Sequence, residues 1–369
     1  MFDPKIWAQV PFHFWTLCFF VFGCVVGSFL NVCIYRLPRE ESIVHPPSHC
    51  PHCGYSIPWY FNIPLVTWLW LRAQCANCGK EISARYFLVE LLTGVVFAIC
   101  WLDFGHRSAL VALVFCLMIA GLIVATFIDV EHYIIPDEIT LGGAVVGFLL
   151  SFFVPASHIS FPYLYPMRTV SASMGDSILG ILVGGGVVYA VLRLGKALFG
   201  RYKMNMEPHS RVVFTETSLQ LPGHELPYED LFYRSGDTIK LVAEHVEMID
   251  RCYVKTEVRL QPHELKIGEE TFDPGKVPHL EAQTDRIVLP REAMGLGDVK
   301  FMAAIGAFLG WRAVLFSLAA SSVIGTLVIG TLIALRRREW STRLPYGPYI
   351  AAAAVIWIFG GYTWFRGLF

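Results

Sequence analysis

Seven apolar runs, each near the length that a bilayer demands, constrain this 369-residue chain more than any other feature. A helix needs about 20 apolar residues to cross the hydrocarbon core of a membrane. The runs lie at 14–35, 86–104, 109–128, 139–155, 173–199, 313–335 and 345–365. The composition agrees, because 16% of the residues are charged, against about 25% in an ordinary soluble domain. The sequence therefore predicts an α-helical polytopic membrane protein.

An eighth apolar segment is too short to cross a bilayer without interruption. Residues 301–311 are apolar, and Arg312 ends the run. At 1.5 Å per residue, such a run covers about half of a 30 Å core. The segment must therefore begin inside the preceding GLGD stretch (295–298) or re-enter the membrane. We accordingly expect about eight transmembrane segments.

The Lys and Arg residues indicate which side each loop faces. With eight segments, one set of loops holds five basic residues: Lys5, Arg107, Arg168, Arg312 and Arg366. The opposite set holds the other 24 of the 29, including the run at 336–338. Because short loops rich in Lys and Arg stay in the cytoplasm, both termini are expected to face outward. Residues 1–36 are expected to be a retained first transmembrane segment, since a single Lys precedes a long apolar run.

Four of the ten cysteines form a metal-ligand pattern in the loop at 37–85. They make two C-x₂-C knuckles, each followed at once by glycine: Cys50, Cys53, Cys75 and Cys78. The loop is expected in the cytoplasm, where thiols stay reduced, so disulfides are the weaker interpretation. Four thiolates fill a tetrahedral Zn²⁺ site and leave no position for water. The sequence predicts a structural zinc site, with the neighbouring His49 and His52 as alternative ligands.

Two acidic residues lie at the expected cytoplasmic edge of apolar segments. Asp129 closes the third span in FIDVEHYIIPD, and Asp298 opens the short segment in GLGDVKF. Ionisable residues at membrane depth are costly and usually functional. Two carboxylates that share a low-dielectric site also share one proton, so the pair supplies a general acid and a general base. Asp129 and Asp298 are therefore candidate catalytic residues of an aspartic protease, and interfacial carboxylates without chemistry remain the alternative.

A long segment at 200–292 interrupts the pattern of apolar runs. Its residues alternate between apolar and polar, and turn signals such as Pro222-Gly223 and Asp273-Pro274-Gly275 separate the alternating stretches. This is strand periodicity. The sequence predicts an inserted small cytoplasmic β domain of four to six strands, at roughly 205–290, without recognisable catalytic residues.

Six motifs, in order, resemble those of the bacterial type IV prepilin peptidases, which are membrane aspartic proteases of the GxGD class. Besides the two cysteine knuckles, the motifs are GSFLNVCIYRLP (27–38), YFNIPLVTWLWLRAQC (60–75), ISARYFLVELLTG (82–94), FIDVEHYIIPD (127–137) and GLGDVKFMAAIGAFLGW (295–311). They cover most of the chain outside 150–290. The chain departs from the family at the insert, where members usually have a short loop.

The resemblance implies an enzyme of the bacterial inner membrane that cleaves the leader from type IV prepilins or pseudopilins at the cytoplasmic face. It also implies N-methylation of the new N-terminus with S-adenosyl-L-methionine. By motif, Asp129 and Asp298 are the catalytic residues, and Asp137 is accessory. The residues that bind the methyl donor are unknown at this stage, with Glu90 as a candidate. No nucleic-acid partner is expected.

The expected organisation has five parts. They are the first transmembrane segment at 1–36, the zinc loop at 37–85, segments two to five at 86–199, the β domain at 200–292, and the GLGD motif with segments six to eight at 293–369. Two other functions fit the same residues. One is a proton-coupled transporter that uses the two aspartates, and the other is a zinc-loop scaffold without chemistry.

Overall fold

The computed structural model describes residues 11–160, 165–166, 169–199, 201–228, 231–232, 236–248, 251–277, 279–290, 295–335, 345–361 and 363. They divide into two compact units, one of Met1–Val188 with Leu296–Phe369 and one of Tyr189–Gly295. The basic run at 336–338, like Lys5, Arg168 and Arg366, lies outside the described residues.

The helices belong to the first unit, except that the end of the sixth helix, from Tyr189 onward, belongs to the second. They are α1 (Phe12–Arg36), α2 (Val66–Trp70), α3 (Ala84–Phe104), α4 (Ala109–His132), α5 (Asp137–Phe153), α6 (Val170–Phe199), α7 (Leu296–Leu309), α8 (Trp311–Ala334) and α9 (Gly347–Ile356). A π-helical turn, Trp357–Gly361, follows α9. A short antiparallel pair, β1 (Ile159–Ser160) and β2 (Tyr165–Pro166), lies between α5 and α6.

Five helices in the described part of the chain are long and apolar enough to cross a membrane. These candidate spans are Phe12–Arg39, Ala84–Phe104, Ala109–His132, Val170–Lys196 and Trp311–Ala334. The helices α5 and α7 have 17 and 14 residues. At 1.5 Å per residue, α7 covers about 21 Å. The segment after GLGD is thus a short helix, as the sequence predicts.

Glycines allow the helices of the first unit to approach closely. A Cβ built on Gly180 in α6 would overlap the carbonyl oxygen of Gly306 in α7. On the other side of α7, a Cβ on Gly147 in α5 would lie 2.7 Å from Cδ2 of Phe308. The contacts bury α7 between its neighbours, with Met302 fully inaccessible. Close packing of this kind fixes the helix that begins beside Asp298.

The second unit contains an antiparallel sheet of eight strands in the order β5-β4-β3-β10-β6-β7-β8-β9. The strands are β3 (Arg201–Phe214), β4 (Ser218–Leu221), β5 (His224–Pro227), β6 (Ile239–Met248), β7 (Cys252–Gln261), β8 (Glu264–Ile267), β9 (Glu270–Phe272) and β10 (Leu280–Pro290). One face buries an apolar core that includes Val212, Leu219, Leu241 and Ile287. The alternation in the sequence therefore marks a half-buried sheet.

The number of strands differs from the prediction of four to six. The additional strands belong to two outer hairpins, β4–β5 and β8–β9, in which each strand has three or four residues. Gly223 and Gly268, with φ of 82° and 61°, lie in their two-residue turns. Strands this short show too few alternations to be separated from loops by periodicity.

Candidate active site and metal site

Asp129 lies where α4 ends. Tyr133, the residue after the helix, has a left-handed conformation with φ of 57°, and its N–H donates to the Asp129 carbonyl. The Asp129 side chain is buried, and its Oδ2 accepts a hydrogen bond of 2.7 Å from the backbone N–H of Gly347. Gly347 is the first residue of α9. This contact fixes the position of the Asp129 carboxylate at the start of α9.

Ile135 lies close to two glycines, one that contacts Asp129 and one that precedes Asp298. A Cβ built on Gly347 would lie 2.8 Å from Oδ2 of Asp129 and 3.2 Å from Cδ1 of Ile135. A Cβ built on Gly297, the residue before Asp298, would lie 3.5 Å from Cβ of Ile135. The fold therefore brings two regions that are far apart in sequence to one buried isoleucine.

Asp298 lies in the first turn of α7 and is buried, with 8% of its surface exposed. Two residues further along the chain, Nζ of Lys300 is 2.6 Å from Oδ1 of Asp137 in the first turn of α5. The side chain of Asp137 is 56% exposed. The accessory aspartate of the sequence motif thus forms a surface ion pair, whereas Asp129 and Asp298 are both buried.

Gly347 is a residue of this site that the sequence analysis does not identify. The adjacent Pro348 indicates a helix start at this point, but no local pattern relates that start to Asp129, 218 residues earlier. The phenol of the preceding residue, Tyr346, lies 3.0 Å from the Ser321 hydroxyl and 3.1 Å from the Ser322 hydroxyl, both on α8. These contacts fix the chain just before the Gly347 amide.

The four predicted metal ligands come together. The sulfur atoms of Cys50, Cys53, Cys75 and Cys78 all lie within 4.8 Å of one another. The sulfurs of Cys50 and Cys78 are 3.9 Å apart, and all four cysteines are free thiols. In a tetrahedral site, four sulfurs that each lie about 2.3 Å from Zn²⁺ are separated from one another by nearly the distance found between Cys50 and Cys78. The donor set and its spacing therefore fit Zn²⁺, and the disulfide alternative is not formed.

Each knuckle has the same backbone geometry. The N–H of Gly54 donates to the Cys50 carbonyl, and the N–H of Gly79 donates to the Cys75 carbonyl, both at 2.9 Å. The two glycines have φ of 69° and 70°, a region that residues with a Cβ rarely adopt. The matched turns explain why a glycine follows each C-x₂-C pair.

Backbone N–H groups favour thiolates at this site. Those of Cys78 and Asn77 point at the sulfur of Cys75 and lower the pKa of that thiol to about 6. The N–H of Tyr55 and the side-chain amide of Asn77 lower the pKa of Cys53. The Lys80 N–H also lowers the pKa of the Cys78 thiol, but burial and hydrogen bonds with the other three sulfurs outweigh it and raise that pKa to about 11. Since a thiolate is the form that binds a metal, the shifts at Cys53 and Cys75 favour metal binding and that at Cys78 opposes it. The neighbouring His49 side chain instead contacts the carbonyl of Pro47 at 3.1 Å.

Glu90 connects the cysteine loop to α3. Its Oε2 accepts a hydrogen bond of 2.8 Å from the backbone N–H of Leu65, which has a positive φ of 62°. This contact gives the carboxylate a structural partner. The described part of 37–83 contains no glycine-rich strand–turn–helix unit, so no residues are assigned to a methyl donor.

Two family models match the chain. The Bacterial Peptidase A24 N-terminal domain matches residues 21–104, which include all four cysteines of the cluster. The Type IV leader peptidase family matches residues 116–202 and 282–330, which include Asp129 and Asp298. The second match omits residues 203–281, most of the eight-stranded sheet. The sheet is therefore an insertion relative to this family model.

Several curated relatives are named prepilin leader peptidase/N-methyltransferase. The protein of Aeromonas hydrophila is 27% identical over 380 residues, which cover 94% of this chain and 92% of the relative. That of Dichelobacter nodosus is 35% identical over 216 residues, or 50% of this chain and 69% of the relative. That of Myxococcus xanthus is 49% identical over 149 residues, which is 39% of this chain and 44% of the relative. No protein of known structure matches the chain.

Proposed function

This chain belongs to the type IV leader peptidase family, and from that membership we infer that it is a prepilin leader peptidase and N-methyltransferase. Its substrates are prepilins or pseudopilins, and S-adenosyl-L-methionine supplies the methyl group for the new N-terminus. The homologues give no support to the transporter and scaffold alternatives.

Asp129 and Asp298 are proposed as the catalytic pair. The observation that carries this proposal is the bond from the Gly347 N–H to Asp129, with Ile135 adjacent to both Gly347 and Gly297. Two buried carboxylates at one site share a single proton, and in this proposal Asp129 is the general base and Asp298 holds the proton. Asp129 takes a proton from water, and the water oxygen attacks the scissile carbonyl. Asp298 gives its proton to the carbonyl oxygen. Asp129 then gives the proton that it took from water to the amide nitrogen, Asp298 takes a proton back from a hydroxyl of the tetrahedral intermediate, and the C–N bond breaks to leave a carboxyl group and a free amine.

We place this site at the cytoplasmic face of the bacterial inner membrane. Helices α5 and α7, and α9 with the turn that follows it, add to the five candidate spans and give about eight membrane segments. Arg85, at the start of α3, bonds Glu131 at 2.6 Å near the end of α4. The cysteine loop and Asp129 therefore lie at the same end of the helices. In this proposal a structural Zn²⁺ on the four cysteines holds the loop at that end.

The proposal is tested by leader cleavage in membranes that contain full-length Asp129→Asn or Asp298→Asn variants. Asn keeps the shape of the side chain and removes its titration. Mass spectrometry of the mature pilin N-terminus reports cleavage and methylation separately. Asp103→Asn is the matched control, because Asp103 is an exposed carboxylate near the far end of α3.

We expect each active-site variant to abolish cleavage while it retains bound zinc and still methylates a pre-cleaved pilin. The Asp103 variant should cleave like wild type. Cleavage that persists in either active-site variant would refute the paired-aspartate mechanism.

A further inference from the structure

The segment Trp59–Trp70 exposes an unusual amount of apolar surface. Trp59 and Trp70 are each 81% exposed. Four more apolar or aromatic residues in the segment are also exposed: Tyr60, Ile63, Val66 and Leu69. Contiguous exposed apolar surface of this kind marks an interaction site in most proteins. The metal site and the proposed catalytic pair do not use these side chains.

Contacts with a candidate membrane span fix the position of this segment. The rings of Trp68 in α2 and Phe87 in α3 lie with their centroids 5.0 Å apart. The N–H of Leu65, just before α2, donates to Glu90 in α3. The segment therefore lies alongside the first two turns of α3.

The length of α3 determines how deep these contacts lie. Its 21 residues extend over about 31 Å, which only just crosses a core of about 30 Å. Ala84 therefore lies near one boundary of that core. Phe87 and Glu90 follow by three and six residues, or about 5 and 9 Å along the helix. A segment that touches both must lie at the boundary between headgroups and acyl chains.

The charge pattern of the loop points to the same environment. Residues 42–80 contain no Asp or Glu, and Arg72 and Lys80 lie within them. Carboxylates beside a membrane are repelled by anionic headgroups and this stretch has none, and Trp and Tyr are enriched at membrane interfaces. Exposed tryptophans in a stretch free of carboxylates match a lipid surface.

We propose that Trp59–Trp70 is an interfacial element that inserts its exposed aromatic and apolar side chains into the anionic lipid surface. The rings of Trp59 and Trp70 lie among the headgroups and the first acyl carbons. Contact with lipid then holds one face of the segment, and the hydrogen bond from the Leu65 N–H to Glu90 holds the other face against α3. The inference rests on the candidate spans rather than on the peptidase activity.

Photo-crosslinking of the full-length chain tests this directly. The photoreactive residue p-benzoylphenylalanine replaces Trp59 or Trp70, and each variant is placed in nanodiscs of phosphatidylethanolamine and phosphatidylglycerol without any prepilin. His45 is the matched control position, because it is an exposed ring in the same loop outside both the segment and the cysteine knuckles. Bound zinc, measured by elemental analysis, verifies that the loop is folded in each variant.

After illumination, intact mass should show lipid adducts at positions 59 and 70 at least tenfold more often than at position 45. A large excess of prepilin should leave these adducts unchanged. Equal adduct yields at all three positions would overturn the proposal. It would also be overturned if prepilin replaced the lipid, or if the crosslinks joined two copies of the chain. Because lipid adducts are measured without cleavage, loss of leader peptidase activity has no bearing on the result.

Discussion

The cysteine cluster and the aspartate site are assembled over very different sequence distances. Cys50 and Cys78 are 28 residues apart, and each knuckle closes through its own backbone bonds. Asp129 and Gly347 are 218 residues apart and meet only because separate helices pack together. The geometry of the first site is therefore largely local, whereas that of the second depends on the helical core. Disturbing the helix packing should damage leader cleavage and leave the metal site intact.

Among variants that keep both aspartates, the largest effect on cleavage is expected from Gly347→Ala. The new Cβ would lie 2.8 Å from Oδ2 of Asp129, so the carboxylate must shift. Misplacement of a reacting group can reduce the rate by about 100-fold. We expect a fall of this size in kcat for leader cleavage, with wild-type zinc content. Gly121→Ala is the control, since Gly121 is in α4 with nothing within 4 Å of its Cβ position. Unchanged kcat would show that the Gly347 amide does not position Asp129.

A smaller loss is expected from Gly306→Ala, which separates two helices away from the aspartates. The added methyl overlaps the carbonyl oxygen of Gly180, and overpacking of this kind costs about 1–3 kcal/mol. We expect a lower Tm in detergent and a loss of cleavage of about tenfold, because α7 carries Asp298.

The matched control for this packing variant is Gly185→Ala on α6. Its Cβ would meet Ala303 at an ordinary 3.9 Å. Equal Tm and equal activity for the two variants would contradict the packing argument.

Removal of a metal ligand should have less effect on cleavage. Cys50→Ser should release the bound Zn²⁺, because a hydroxyl is a poor substitute for a thiolate in a Cys₄ site. We expect zinc to disappear on elemental analysis while cleavage falls by less than about tenfold, since no zinc ligand contacts Asp129. Cys252→Ser, at an exposed thiol in the sheet, should keep the metal. Complete loss of cleavage in the zinc-free variant would refute the independence of the two sites.

The smallest effect is expected at the ion pair between Lys300 and Asp137. The two side chains are 38% and 56% exposed, and exposed ion pairs contribute about 0–1 kcal/mol. Lys300→Met should change the cleavage rate by less than about fivefold, and a double-mutant cycle with Asp137→Asn should give a coupling of about 1 kcal/mol at most. A loss far beyond that would assign the pair a role in holding Asp298.

Local features of the chain were predictable where the physical cause is itself local. The apolar runs became helices because each is long enough to satisfy its own backbone hydrogen bonds. The cysteine cluster was predicted because C-x₂-C followed by glycine specifies a single tight turn. The two outer hairpins of the sheet were missed because their strands of three or four residues are too short for a periodic signal.

By itself, the sequence determined the helical class, the four clustered cysteines and the candidate aspartates, since these depend on segment length, spacing and residue chemistry. The tertiary structure alone decided that the Gly347 amide contacts Asp129 and that Ile135 lies beside both aspartate regions. It also decided that the Leu65 N–H donates to Glu90, and this hydrogen bond keeps the segment with the exposed tryptophans beside the start of α3. Such contacts depend on which helix faces packed together, and packing between distant segments leaves no periodic trace in the chain.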